Sequence, residues 1–367
     1  VSLLRSGIVV ALFTFLSRIS GFARDMLMSA TLGAGLLTDI FNIAFRIPNF
    51  FRRIFAEGAF NSAFLPIFSA KLTSDGKVEA HNFANQVFTI LSLVLLLVVS
   101  LMEIAMPLVI SLLAPGYTNQ PSHLELAAYL TRITMPYLLF ISLVSLMSGI
   151  LNSLGKFAIA AATPILLNIS MIGALLYLPE YTETKAHALA WGVFIAGLAQ
   201  LIFITIAVRN SNMLPKIQKP SLTPDLKKLF KNMIPGIIAS GVVQINMAID
   251  LAIVTFLPIG SLSLLMYAER ISYLPLALIG TAIGTVLLPT LSKQIKENRL
   301  EESYYTQNRS IEIAMFLSLP CSFALATIAH PISYMLYERG EFTSLNTTGV
   351  ATALAAFGAG LPAFILI

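Results

Sequence analysis

Cysteine, tryptophan and charge are all scarce in this chain. Its 367 residues include one cysteine, one tryptophan and four histidines, and 11% of them are charged. A lone Cys321 excludes an internal disulfide, and His81, His123, His187 and His330 are too scattered to make a metal site. The P-loop, HExxH and GxSxG patterns are missing too, so nucleotide-driven and hydrolytic chemistry lack their usual motifs. No cofactor or metal is expected.

Apolar residues fill the space instead, at 57% of the chain and a mean hydropathy of +0.82, far above soluble domains. A membrane crossing takes about 20 mostly apolar residues. Runs of that kind recur near 3–29, 33–70, 84–113, 125–152, 158–178, 186–208, 230–257, 263–292, 310–329 and 346–367. The runs are long and lack the alternation of barrel strands. The fold class is therefore all-α: a polytopic membrane protein with about ten transmembrane helices. The apolar stretch after Arg5 is read as the first helix rather than a cleaved leader, because Arg18 follows it and no small-residue cleavage site does.

If successive helices alternate direction, one set of connections holds Lys71, Lys77, Lys156, Arg209, Lys216, Lys219, Lys227, Lys228, Lys231, Lys293, Lys296, Arg299 and Arg309. The other set holds only Lys185 and Arg339. This asymmetry places the first set and the N-terminus in the cytoplasm. It also accounts for the +5 net charge without a nucleic-acid partner. The basic, proline-containing linker 210–230 divides an N-terminal lobe of six helices, 1–209, from a C-terminal lobe of four, 231–367. "EGAFNSAFLPIFSAK" (57–71) and "IGTAIGTVLLPTLSK" (279–293) share LPxxS at a fixed offset. A duplication behind that short match would give parallel repeats with a midplane site between the lobes.

Charges inside the apolar runs are the most informative residues. Arg18, Arg24, Arg46, Arg52, Arg53, Arg132 and Arg270 all fall within or at the ends of expected helices. A guanidinium at the bilayer centre costs about 3 kcal/mol, so six facing lipid would cost about 18. Arg132 and Arg24, near helix ends, are read as snorkelling to the interface. Along the second run, Asp39, Asn42, Arg46, Asn49, Arg53, Glu57 and Asn61 recur every three or four residues and so form one polar face, interrupted at Pro48. Such a face must line a water-filled cavity or pack on a partner. Arg53 and Glu57 are spaced to pair. Arg270 lies between Tyr267 and Tyr273, read as sharing one side, and Gln244, Asn246 and Asp250 add polarity to the seventh run. Asp25, Asp39, Glu57, Asp250 and Glu269 offset most of the arginines. The residues alone leave three readings open: a transporter of anions, a cation- or proton-coupled exporter, and a non-transporting scaffold or membrane enzyme.

The stretches "SRISGFARD", "TDIFNIAFRIPNFFRRIFAEGAFNSAFLPIFS", "TPILLNISMIG" and "YAERISYLPLALIGTAIGTVLLPTLS" together resemble the MurJ (MviN) family, the lipid II flippases of bacterial peptidoglycan synthesis. The resemblance runs along essentially the whole chain and implies two lobes around a central cavity, as in the multidrug/oligosaccharidyl-lipid/polysaccharide exporter superfamily. It implies a non-enzymatic flippase in the bacterial plasma (inner) membrane, with lipid II and membrane lipids as partners and a coupling ion or the membrane potential as energy source. The nearest alternative is a cation- or proton-coupled exporter of the same superfamily. By resemblance, Arg18, Arg24, Arg52 and Arg270 hold the lipid II diphosphate. Asp39, Arg46, Arg53, Glu57, Asp250 and Glu269 belong to the cavity or its gate, with Arg46 where relatives often have lysine and Glu269 where aspartate is common. Family members carry further C-terminal helices that form a groove for the lipid tail, so the chain ending at "GLPAFILI" is expected to be incomplete.

Overall fold

In hydrocarbon every backbone amide must bond within its own segment, and long apolar runs therefore become helices. The computed structural model describes residues 3–53 and 59–366. Its α-helices are α1 (Leu3–Leu32), α2 (Leu36–Arg52), α3 (Ala59–Ser74), α4 (Gly76–Leu113), α5 (Pro121–Thr134), α6 (Tyr137–Ser153), α7 (Phe157–Tyr177), α8 (Lys185–Arg209), α9 (Pro224–Val254), α10 (Ser261–Lys296), α11 (Leu300–Thr327), α12 (Ala329–Tyr337) and α13 (Ser344–Leu366). No strand occurs among the described residues.

The run expected as one helix over 33–70 is two, α2 and α3, and the run 125–152 is α5 and α6, parted at Met135–Pro136 where proline has no amide to donate. Helices α4, α9 and α11 begin six to ten residues before their expected starts at 84, 230 and 310. Hydropathy reports where a helix enters lipid, whereas the helix itself continues into the polar layer. The short α12 is an addition to the expected set, since its nine residues are too few for a crossing.

The described chain forms two compact units, Val1–Met28 with Leu36–Ile259, and Ser29–Gly35 with Gly260–Ile367. The units divide after Ile259 rather than within the 210–230 linker, because α9 packs on α3 and α4 of the first unit.

In the first unit, Phe60, Phe64 and Phe68 follow at four-residue intervals on α3. Their rings stack at 5.4 and 5.2 Å, and Phe83 of α4 joins Phe64 at 5.8 Å. Helix α3 also runs parallel to α6 in constant register: Asn61 Nδ2 donates to Ser145 Oγ at 3.1 Å, Gly149 lies under Phe64, and Ser69 meets Ser153 at 3.1 Å. Lipid gives helices no hydrophobic reason to associate, so small and hydroxylated residues do that work. At the far end of α9, the Gly116 amide donates to Thr255 Oγ1 at 3.0 Å. A Cβ at Gly116 would stand 2.0 Å from the Thr255 carbonyl oxygen, so only glycine fits.

In the second unit, Tyr267, Tyr337 and Phe342 form an aromatic cluster with centroids 4.8 to 5.8 Å apart. The turn 29–35 packs into this unit, and the Glu341 amide donates to the Ala30 carbonyl at 2.9 Å. Gly340, at φ +60°, passes too close to that carbonyl for any side chain.

A proline at position i of a helix leaves the carbonyl at i−4 without its amide, and four of these helices show the same answer to that loss. Pro48 frees Ala44, whose oxygen accepts from Thr134 Oγ1 at 2.7 Å, and Pro107 frees Glu103, which accepts from Arg132 Nε at 3.2 Å. Pro164 frees Ala160, which accepts from Thr163 Oγ1 at 2.8 Å, and Pro362 frees Gly358, which accepts from Ser322 Oγ at 2.7 Å. Arg132 thus satisfies the carbonyl that Pro107 frees on α4, a role that the snorkelling expectation misses. Thr134→Val should lower stability in detergent by about 1–3 kcal/mol, the cost of an unpaired buried carbonyl. In a Pro48→Ala background, where the amide returns, the same change should cost clearly less; equal losses in denaturation midpoint would refute the pairing.

Candidate functional site

The polar face of α2 begins in the interior of the first unit. Asp39 and Asn42 are buried, Arg46 and Asn49 are half-buried, and Arg53 is exposed at the helix's end. Pro48 divides the buried part from the rest. Beyond it, Asn49 Nδ2 donates to the Phe45 carbonyl at 2.7 Å, while its Oδ1 accepts from Arg52 Nε at 2.9 Å. Asn49 thereby orients Arg52 from one turn away. Arg53 Nη1 lies 3.2 Å from Met247 Sδ of α9. Glu57, expected to pair with Arg53, lies outside the described residues. Tyr117, in the 115–117 turn between α4 and α5, has its phenol pushed up in pKa by burial, and the Asp39 charge adds to the effect.

On α1, Arg24 is fully engaged. Its Nε and Nη2 donate to Asp25 Oδ1 at 3.0 and 2.6 Å, and Nη1 donates to Asn168 Oδ1 of α7 at 3.0 Å. Asn168 is itself buried, and its Nδ2 donates to the Ser17 carbonyl and to Ser20 Oγ at 3.0 and 2.9 Å. One amide therefore ties the Arg24 fork to the α1 backbone seven residues earlier. Arg24 does not snorkel.

Arg18 is in a different condition. It is exposed and, among the described residues, has no hydrogen-bond or ion-pair partner. It stands on the wall of a cleft of about 580 Å³ between α1, α6 and α7, whose other polar lining is Thr14, Ser17, Ser148 and Asn152. An unpaired guanidinium among hydroxyls and an amide, on mostly apolar walls, suits an oxyanion that can be stripped of water.

Asp250 is exposed on α9, less than two turns beyond the buried Gln244. Arg270 and Glu269 are exposed on α10 of the second unit. Tyr267 is buried in the aromatic cluster, whereas Tyr273, at 56% exposure, is open like Arg270 and Glu269. Six residues at about 100° each leave the two rings about 120° apart.

A family model described as "Lipid II flippase MurJ" matches residues 28–367. The chain belongs to this family. It is 44% identical over 365 residues to the probable lipid II flippase MurJ of Rickettsia prowazekii, covering 100% of this chain and 71% of that protein. The corresponding Rhizobium tropici protein is 45% identical, with 100% and 69% covered. Among solved structures, "Lipid II flippase MurJ, inward closed conformation" superposes with a TM-score of 0.81 at 30% identity, over 98% of this chain and 74% of that one. An inward-facing MATE transporter of the MOP superfamily gives 0.69 at 16% identity over 96% and 80%, which shows a shared fold.

Sequence reasoning missed two residues of the polar interior, Thr134 and Asn168. A threonine beside a proline-kinked helix is invisible until the two helices are brought together. Asn168 was legible only as an asparagine within an apolar run, where an unpartnered amide is costly. Its bond to a charged donor is of the class worth about 1.5–3 kcal/mol. A double-mutant cycle of Asn168→Ala with Arg24→Ala, read by thermal unfolding, should give a coupling of about that size. Additive losses would show that the two side chains do not act together.

Proposed function

We propose that this chain moves lipid II from the cytoplasmic to the outer leaflet of the bacterial plasma membrane by alternating access. In this reading the N-terminus is cytoplasmic, the sugar-peptide headgroup enters the protein, and the polyprenyl tail stays in lipid. Arg18, Arg24, Arg52 and Arg270 hold the diphosphate. The observation that carries the reading is Arg18, a guanidinium with no partner among the described residues, in a cleft lined by hydroxyls.

The arginines divide the work by how they are held. Arg18 is available as it stands, and Arg52 is aimed by Asn49. Arg24 keeps Asp25 as counter-ion, and its bond to Asn168 is the neutral one that an anionic oxygen would replace. Asp39, Arg46, Arg53, Glu57, Asp250 and Glu269 are assigned to the cavity and its gate. The Arg53 contact to Met247 supports a gating role, since a thioether is a weak acceptor that is easily exchanged. No bond is made or broken in lipid II, so binding need only favour an occluded state over the open ones. The functional lobes are 1–209 and 231–367, with the membrane potential or an ion gradient as the driving force.

Alanine in place of Arg18, Arg24, Arg52 or Arg270 should abolish growth of a cell that depends on this chain, and should weaken lipid II binding by about tenfold or more. Normal growth and unchanged binding with each of the four would overturn the diphosphate assignment.

A further inference from the structure

Residues 213–223, which join α8 to α9, have no regular secondary structure and yet are pinned along their length. His81 Nε2 meets the Leu214 carbonyl at 2.9 Å, and Asn85 Oδ1 accepts from the Lys216 amide at 2.8 Å. Thr89 Oγ1 accepts from the Gln218 amide at 3.0 Å, and Gln86 Oε1 accepts from Thr223 Oγ1 at 2.7 Å. His81, Asn85 and Thr89 stand at four-residue intervals on one face of α4, while the strap offers every second residue. Four residues of helix rise about 6 Å and two of extended chain about 6.6 Å, so the two repeats match. The register is therefore set by geometry.

That register also sets a depth. From Ile90 to Leu113, α4 is apolar except for Glu103 and a few serines. These residues cover about 36 Å at 1.5 Å each, close to the hydrocarbon thickness of about 30 Å. Thr89 thus marks where α4 enters lipid, and the strap residues bonded at that level lie among the headgroups. There Ile217 is 78% exposed and Leu222 66% exposed, with Lys216 and Lys219 exposed beside them. The first turns of α9 continue the pattern with exposed Lys227, Lys228, Phe230 and Lys231. Of the nearby acids, Asp225 is taken by Lys71 at 2.8 Å, and Lys71 also reaches Asp75 at 3.5 Å, which leaves Glu79. Five lysines therefore face one uncommitted carboxylate. In water the isoleucine and leucine would be misplaced. In a headgroup layer both they and the lysines are satisfied.

We propose that the 213–223 strap is a fixed interfacial anchor, inserting Ile217 and Leu222 below the headgroups and binding anionic phospholipid through Lys216 and Lys219, with Lys227, Lys228 and Lys231 alongside. The anchor holds the N-terminal end of α9 at constant depth. It involves none of the arginines assigned to lipid II.

Trp191 is the only tryptophan and can be removed as Trp191→Phe. In that background, Ile217→Trp and, separately, Leu222→Trp are placed in vesicles of phosphatidylcholine with or without phosphatidylglycerol. Quenching by acyl-chain-brominated lipid together with protection from aqueous iodide is the expected result. Quenching by iodide alone at both positions would overturn the insertion. Lys216→Gln and Lys219→Gln should each lower retention of phosphatidylglycerol over phosphatidylcholine by about fivefold, read by native mass spectrometry. Unchanged retention in the double variant would overturn the headgroup site, whether or not Ile217 is inserted.

Discussion

A backbone carbonyl released by proline inside a bilayer has no water to turn to, and the architecture depends on how such groups are answered. Ala44, Glu103, Ala160 and Gly358 are each released in this way, and each is met by a side chain from its own or a neighbouring helix. Three of the four donors come from a different helix, so the kinks and the packing are not separable. Placing Pro48 within α2 requires α5 to deliver Thr134. In return, the bond fixes where α5 lies against α2. A carbonyl freed in this way depends on its neighbour, and moving that neighbour leaves it unpaired.

The same constraint explains the state of the arginines. Arg24 is stable in a low-dielectric interior because Asp25 balances its charge and Asn168 occupies its remaining fork. A guanidinium held so completely is poised for exchange rather than for simple capture: an arriving anion must displace an acceptor before it binds. Arg18 needs no such displacement. If both bind an anion as proposed, the two residues, six positions apart on one helix, would suit different moments of that event, first contact at Arg18 and closure at Arg24.

Much of this was legible in the letters. Apolar run length located every long helix, and the spacing from Asp39 to Asn49 marked α2 as a polar element, although the same spacing continued to Asn61, which lies on α3. The motifs around Pro48 and Arg52 pointed to the family. What escaped the sequence were relations that depend on two helices meeting. Arg132 looked like an interfacial side chain because nothing in its own neighbourhood mentions Pro107 on α4. Asn168 sat in an apolar run with no local sign that Arg24 would reach it. The expectation for Tyr267 and Tyr273 differs in kind: Arg270 lies about 60° from each, but the rings are about 120° apart, so one is buried and the other exposed. The compact units part after Ile259 rather than at the linker because composition says where a chain is polar, not what that polar stretch is bonded to.

Helix α9 shows what these attachments permit. Its first turn is tied to α3 through Asp225 and Lys71, and the strap before it is bonded to α4. At its other end Thr255 receives the Gly116 amide in a contact with no room for a Cβ. Between these fixed ends lie Pro235, which lacks an amide, and Gly241, where an added methyl group would meet no atom within 4 Å. The middle of α9 is held on one face only: Met233 and Ile237 pack into the core and Gln244 is buried, whereas the Gly241 face is open. Among the described residues, the polar end of α2 meets the middle of α9 through Arg53 and Met247, a guanidinium on a weak thioether acceptor.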